Sequence, residues 1–146
     1  MANKMTEPQK TEELNEILGA LNKKRFSSYV SGLDTIPSIA GIFENYLFQN
    51  GITRGNLIKR SGLSRSYAYE ILNGIKTNPS RDSIISLCMA AEMDLNATQR
   101  TLRAGGAGEL YAKIPRDAAI ILHINQGQHD IVKLNIFLEE HGLECL

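Results

Sequence analysis

An all-α fold follows from two patterns in the sequence. Apolar residues recur at the i, i+3, i+4, i+7 spacing of a helix face, and no segment alternates with period two over a useful length. The segments are also punctuated as helices are, with Ser, Thr or Asp before the apolar stripe and Gly or Asn-Gly after it.

Taken in order, Leu14, Ile17, Leu18 and Leu21 share one face of a first helix, and Thr11, Glu13 and Glu16 suit its start without forming a clean capping box. KKRFSSYVSGLDTIP, residues 23–37, breaks the pattern with Ser, Gly and Pro and reads as a linker. Ser38 then opens a second helix with the stripe Ile39, Ile42, Phe43, Tyr46, Leu47, stopped by Asn50-Gly51. Thr53 caps a short third helix that turns Leu57 and Ile58 inward and ends at Gly62. Ser64 caps a fourth, with Ala68, Ile71 and Leu72 inward, closed by Gly74 and then Asn78-Pro79.

Ser80 or Ser83 starts a fifth helix with Ile84, Leu87, Cys88 and Ala91 on one face. Asp94 or Asn96 opens a sixth, carrying Leu95 and Leu102 and closing in AGGAG, residues 104–108, which reads as a hinge. Pro115 suits the first turn of a seventh, with Ala118, Ile121 and Leu122 inward and Gly127 as its stop. The last helix holds Ile131, Leu134, Phe137 and Leu138 and ends at Gly142.

With 146 residues, 42% of them apolar, the chain has material for one ordinary domain or a small domain with helical extensions. Cys88 and Cys145 make no disulfide framework and no zinc spacing, so a reducing compartment is the simpler expectation. The charged N-terminus lacks the apolar stretch of a secretory signal. No run approaches the roughly 18–20 apolar residues of a membrane span. A cytoplasmic, soluble protein is expected. His123, His129 and His141 share no helix face and read as surface residues; Cys88 lies on an apolar stripe and reads as core. LRAGGAGEL follows no strand and lacks the Lys-Ser/Thr of a phosphate loop. No set of nucleophile, base and acid stands out, so neither an enzyme nor a metal or cofactor is expected.

Formal net charge is zero, but its distribution is uneven. Between 53 and 81, Arg54, Lys59, Arg60, Arg65, Lys76 and Arg81 face Glu70 alone, a net of +5. Residues 82–146 carry −4 and residues 1–52 carry −1. A basic middle inside a neutral chain is the electrostatic footprint of a polyanion-binding surface. Within it, Gly62 allows two short helices to meet steeply, and Leu63 plugs the angle between them. The outer face of the second is centred on Ser66, Glu70 and Asn73, flanked by Tyr67 and Tyr69, with Arg65 at its tip. A helix held from behind with polar residues forward suits a major groove.

The run TRGNLIKRSGLSRSYAYEILNGIKTNPS resembles the phage-repressor (Xre/Cro-type) helix-turn-helix family. The likeness rests on Thr53, Leu57, Ser61-Gly62-Leu63-Ser64, Ile71-Leu72-Asn73-Gly74, Lys76 and Asn78-Pro79, and covers roughly residues 38–103. It implies a five-helix lambda-repressor-like domain at 37–104, an N-terminal helix and linker at 1–36, and a helical extension at 105–146 for packing or dimerisation. It further implies sequence-specific binding of double-stranded DNA, as a homodimer on paired half-sites, by a bacterial transcription regulator, most simply a repressor. Arg54 then contacts phosphate and braces the recognition helix. Ser64, at the N-terminus of that helix, belongs to the same DNA-binding set. Arg65, Ser66, Tyr67, Tyr69 and Glu70 take base-facing positions, and Asn73, Lys76, Thr77 and Asn78 lie along the backbone phosphates.

Glu70 departs from the family's usual Gln, Arg or Thr; it either accepts from cytosine N4 or pairs with Arg54 or Arg65. Tyr67 and Tyr69 either meet thymine methyls and sugars or pack on the domain rim. Arg65 either forks onto guanine O6 and N7 or holds a phosphate. The tail resembles those of small regulators of this type and offers a place for packing, pairing of protomers or a protein partner. The Lys23-Lys24-Arg25 run either reaches an adjacent phosphate or is solvated. The rival reading is the same fold used as a protein-binding adaptor or antitoxin, favoured by Glu70 and the acidic tail.

Overall fold

The structure, a computed structural model, describes residues 11–20, 25–27 and 37–146. Leu21, Lys23, Lys24 and most of the expected linker lie outside those residues. The chain divides into two units, Met1–Ile36 and Pro37–Leu146. The first contains α1 (Thr11–Ala20). The second contains α2 (Ile39–Asn50), α3 (Arg54–Ser61), α4 (Arg65–Leu72), α5 (Arg81–Ala90), α6 (Leu95–Ala104), α7 (Pro115–Asn125) and α8 (Ile131–Glu140). The described residues contain no strand, so the all-α class stands. None of their helices is long and apolar enough to cross a membrane.

The helix starts are set by local chemistry. Ser38, Thr53, Ser64, Ser80 and Asp94 each hold an extended backbone while the side-chain oxygen accepts from the amide three residues on, satisfying one orphan donor per helix. Of the alternatives at α5 and α6, Ser80 and Asp94 are the caps. Asp130 caps α8 by accepting from Val132 and Lys133.

α5 is the hub. The sequence suggests one apolar face, but every residue from Ser83 to Ala90 is buried. α3, α6 and α8 all pack on it, so no side is left for water. The small Ser83 and Ser86 read as polar in the sequence; in the fold they let neighbouring helices approach closely. The same crowding explains Gly105, where a Cβ would come within 2.6 Å of Ile84 and 2.7 Å of Ile39. Gly105, in the glycine-rich stretch after α6, is therefore a packed closure, whereas Gly106 and Gly108 lie in open space. Gln99 fixes the far side of the stretch, accepting from the Leu110 amide at 2.7 Å and donating to the Leu110 carbonyl at 2.9 Å.

α7 and α8 pack together and complete the same compact unit, α7 on α6 and α8 on α5. The α7 face differs from the sequence reading. Leu122 is exposed, Ala118 and Ile121 are half-buried, and the buried set is Asp117, Ala119, Ile120, His123 and Ile124. A buried ion pair sets this rotation. Arg81 donates to both Asp117 oxygens, at 3.0 and 2.7 Å, and to the carbonyls of Gly108 and Glu109. Asp117 also accepts from the Tyr111 amide at 2.9 Å. Beside it Arg116 forks onto Asp82, both contacts at 2.9 Å, and donates to the carbonyls of Glu144 and Cys145. Two Arg-Asp dipeptides in the first turns of α5 and α7 thus cross-pair. His123 is not a surface residue either: its Nδ1 lies 2.9 Å from the Ala119 carbonyl and its ring meets Phe137 edge-on at 4.8 Å.

Burial, the largest influence on the Asp117 carboxyl, pushes its pKa up, but hydrogen bonds from Arg81 and Tyr111 and the charges of Arg81 and Arg116 outweigh it and hold the pKa below the ordinary value. A depressed folded pKa contributes stability in full above the unfolded value near 3.9, and that stability is lost as pH falls through the folded pKa. Asp117→Ala, which leaves Arg81 unpaired, is expected to lower unfolding free energy by about 3 kcal/mol at neutral pH in urea titrations. The gap between the parent chain and Asp117→Asn should shrink as the pH is taken below about 4. A constant gap across that range would contradict the assignment.

Candidate nucleic-acid interface

α3 and α4 are joined by Gly62, Leu63 and Ser64. Gly62 takes the left-handed conformation, φ 73°, in open space, so the turn depends on backbone freedom alone. Leu63 is half-buried against the core, and Ala68, Ile71 and Leu72 are buried, fixing α4 from behind. Arg54 at the start of α3 donates to the Asn73 side chain and, at 3.4 Å, to the Leu72 carbonyl. It ties the head of one helix to the end of the next.

The outward residues Ser64, Arg65, Ser66, Glu70, Asn73, Lys76, Thr77 and Asn78 are all exposed on this one side of α4 and the loop after it. Tyr67 and Tyr69 are half-buried flanks, and each sits beneath a cation. The Arg65 guanidinium lies 5.7 Å from the Tyr69 ring centroid, and the Lys76 ammonium 5.8 Å from that of Tyr67. Contacts of this kind contribute about 0.5–1 kcal/mol at exposed sites and restrict where the cation points. The Tyr67 phenol faces the Ser80–Ser83 pair, whose hydroxyls are 2.7 Å apart. Hydrogen bonding with Ser83, with help from Ser80 and Lys76, outweighs burial and draws the phenol pKa below its ordinary value. Tyr67 thus packs on the rim of the domain with Lys76 over its ring, and part of it stays open to solvent. The signal for it is Ser80-x-x-Ser83 at the next helix start.

Glu70 forms a salt bridge with neither Arg54 nor Arg65; among the described residues its carboxylate has none. Its backbone carbonyl accepts from Ile75 and Lys76, curling the loop back so that Lys76 returns to the α4 face. The basic footprint is narrower than the sequence count. Arg81 is taken by Asp117, and Arg60 makes one half-exposed contact with Glu92, both acids from beyond residue 81. Arg54, Lys59, Arg65 and Lys76 remain without salt bridges among the described residues. No family model, curated protein or solved structure matches this chain.

Placing a side chain at the left-handed turn position strains the backbone without creating a clash. Gly62→Ala should therefore cost about 1 kcal/mol of stability with helix content unchanged, read by denaturant unfolding and circular dichroism.

Proposed function

We propose that the chain is a sequence-specific double-stranded DNA-binding regulator of the phage-repressor (Xre/Cro) helix-turn-helix type, with α4 in the major groove. The observation that carries this reading is the α3–turn–α4 unit. A short helix pinned by Ala68, Ile71 and Leu72 and braced by Arg54 turns polar and charged groups outward, the carboxylate of Glu70 among them, and Arg65 on the helix and Lys76 in the loop after it rest on tyrosine rings. On this reading α2 to α6 form the five-helix lambda-repressor-like domain, and α7 and α8 lock onto it. Arg65 forks onto guanine, Glu70 accepts from cytosine N4, and Ser66 and Tyr69 complete the base-facing set. Ser64 lies at the helix N-terminus, where amides favour phosphate; Arg54, Asn73, Lys76, Thr77 and Asn78 follow the DNA backbone. The protein acts in the bacterial cytoplasm as a homodimer whose half-sites lie about one helical turn, roughly 34 Å, apart, and represses by occlusion.

A second reading, a protein-binding adaptor or antitoxin on the same fold, is favoured by the unpaired Glu70 and by the exposed Val132 and Ile136 on α8. Selection of binding sites from random duplexes, followed by fluorescence anisotropy over a salt series, separates the two. Binding should weaken steeply with salt. Arg65→Ala should lose discrimination between selected and random duplexes by roughly 10- to 100-fold. Lys76→Ala should weaken both alike and lower the salt slope by about one. Equal losses on both duplexes for the two variants would remove Arg65 as a reader, and no salt-sensitive binding at all would move the assignment to the adaptor.

A further inference from the structure

A cleft of about 360 Å³ opens between the end of α2, the outer side of α3 and the turn joining α5 to α6. Its walls include Tyr46, Asn50, Ile52, Asn56, Arg60 and Glu92. None of the residues lining it belongs to α4 or the loop 73–78, so the cleft stands apart from the face proposed to meet DNA.

Three features set this cleft apart from an ordinary surface depression. It carries one cation and one anion side by side, Arg60 and Glu92, in a single contact of 3.4 Å with both side chains about half exposed. Such a pair is weakly held and free to part. Next, Glu92 is the one non-glycine among the described residues with positive φ, at 58°. A glycine fits that turn with less strain, yet the chain places a carboxylate there and orients it on Arg60. The backbone around it is also fixed: the Glu92 carbonyl accepts from the Tyr46 hydroxyl at 3.3 Å and the Glu92 amide donates to Met89 at 3.0 Å. Finally, two amide side chains stand among the remaining walls beside Ile52 and the Tyr46 ring: Asn56, exposed at one side, and Asn50, held to the Tyr46 carbonyl at 2.8 Å through its Nδ2.

A ligand of one charge would gain one partner here and be repelled by the other. A small molecule carrying an ammonium and a carboxylate on one carbon satisfies both at once. We infer that this cleft binds a free α-amino acid or a close zwitterionic analogue, its carboxylate on the Arg60 guanidinium and its ammonium on the Glu92 carboxylate. Asn50 and Asn56 take the remaining hydrogen-bonding positions, and Ile52 and the Tyr46 ring receive the side chain. The cleft volume falls at the small end of ligand sites. Bidentate Arg–carboxylate pairing supplies the orientation.

The test is isothermal titration of the full chain with each protein L-amino acid in turn, up to roughly 10 mM, alongside its N-acetyl and C-amide derivatives. At least one amino acid should bind, with both derivatives at least tenfold weaker, and with amide shifts in two-dimensional NMR at Gly51, Ile52 and Glu92. Arg60→Ala and Glu92→Gln should each weaken binding at least tenfold. Glu92→Gly should abolish it while leaving the melting temperature unchanged or higher, a combination that a purely structural Glu92 would not give. No binding by any amino acid, equal binding of a derivative, or binding retained in Arg60→Ala would each overturn the assignment.

Discussion

The crossed pairing of two Arg-Asp dipeptides is the constraint on which the larger unit depends. Arg81-Asp82 and Arg116-Asp117 open the first turns of α5 and α7, so each acid also sits where a helix dipole favours negative charge. A buried carboxylate is costly unless its lone pairs are filled, and Asp117 has both Arg81 nitrogens and the Tyr111 amide. Arg116 extends the arrangement to the C-terminal residues through the Glu144 and Cys145 carbonyls. One polar junction therefore orients α7, closes the 108–111 loop and seats the last residues of the chain. The apolar core sets how tightly these elements pack, and the ion pairs determine which way they face.

The legible part of this fold was the part governed by short-range chemistry. Ser38, Thr53 and Ser64 could be read as caps because capping involves residues three apart. The faces of α2 and α4 could be read because polar residues interrupt their apolar runs, Glu44-Asn45 in α2 and Ser66 and Glu70 in α4, and so fix the phase of the stripe. The α7 run AAIIL offers aliphatics at consecutive positions, so periodicity there fits several rotations equally well. Only the burial of Asp117 selects among them, and its partner lies 36 positions away. At α5 the expected face, Ile84, Leu87, Cys88 and Ala91, is buried, but the burial runs all round the helix, Ser83 and Ser86 included, because three other helices pack on it, which local periodicity does not reveal.

At the candidate interface the scaffold could be read from the sequence, but the placement of its charges could not. A count along the chain credits Arg60 and Arg81 to the basic segment, yet tertiary contacts give both to acids further on. Conversely, Arg65 and Lys76 gain definition from Tyr69 and Tyr67, contacts whose spacing a helix and its exit loop make possible but do not require. The cleft at Glu92 was invisible for the same reason. It collects residues from three elements, and its most unusual feature, a positive φ at a carboxylate, leaves no mark in composition.

Glu70 is best understood as a discriminator on the DNA-binding reading. A carboxylate moving toward phosphate-lined DNA loses hydration and meets repulsion, and here no salt bridge among the described residues offsets either cost. Only a donor in the groove, such as the cytosine amino group, repays it. Its contribution to affinity is therefore small or unfavourable on most sequences and recovered on few, and selectivity arises from the penalty on wrong partners. Affinity must then come from elsewhere, which is where Lys76, Arg54 and the helix N-terminus at Ser64 lie, around the edge of the same face. The division between a costly centre and a cationic rim gives the α4 surface a physical logic that a uniformly basic helix would lack.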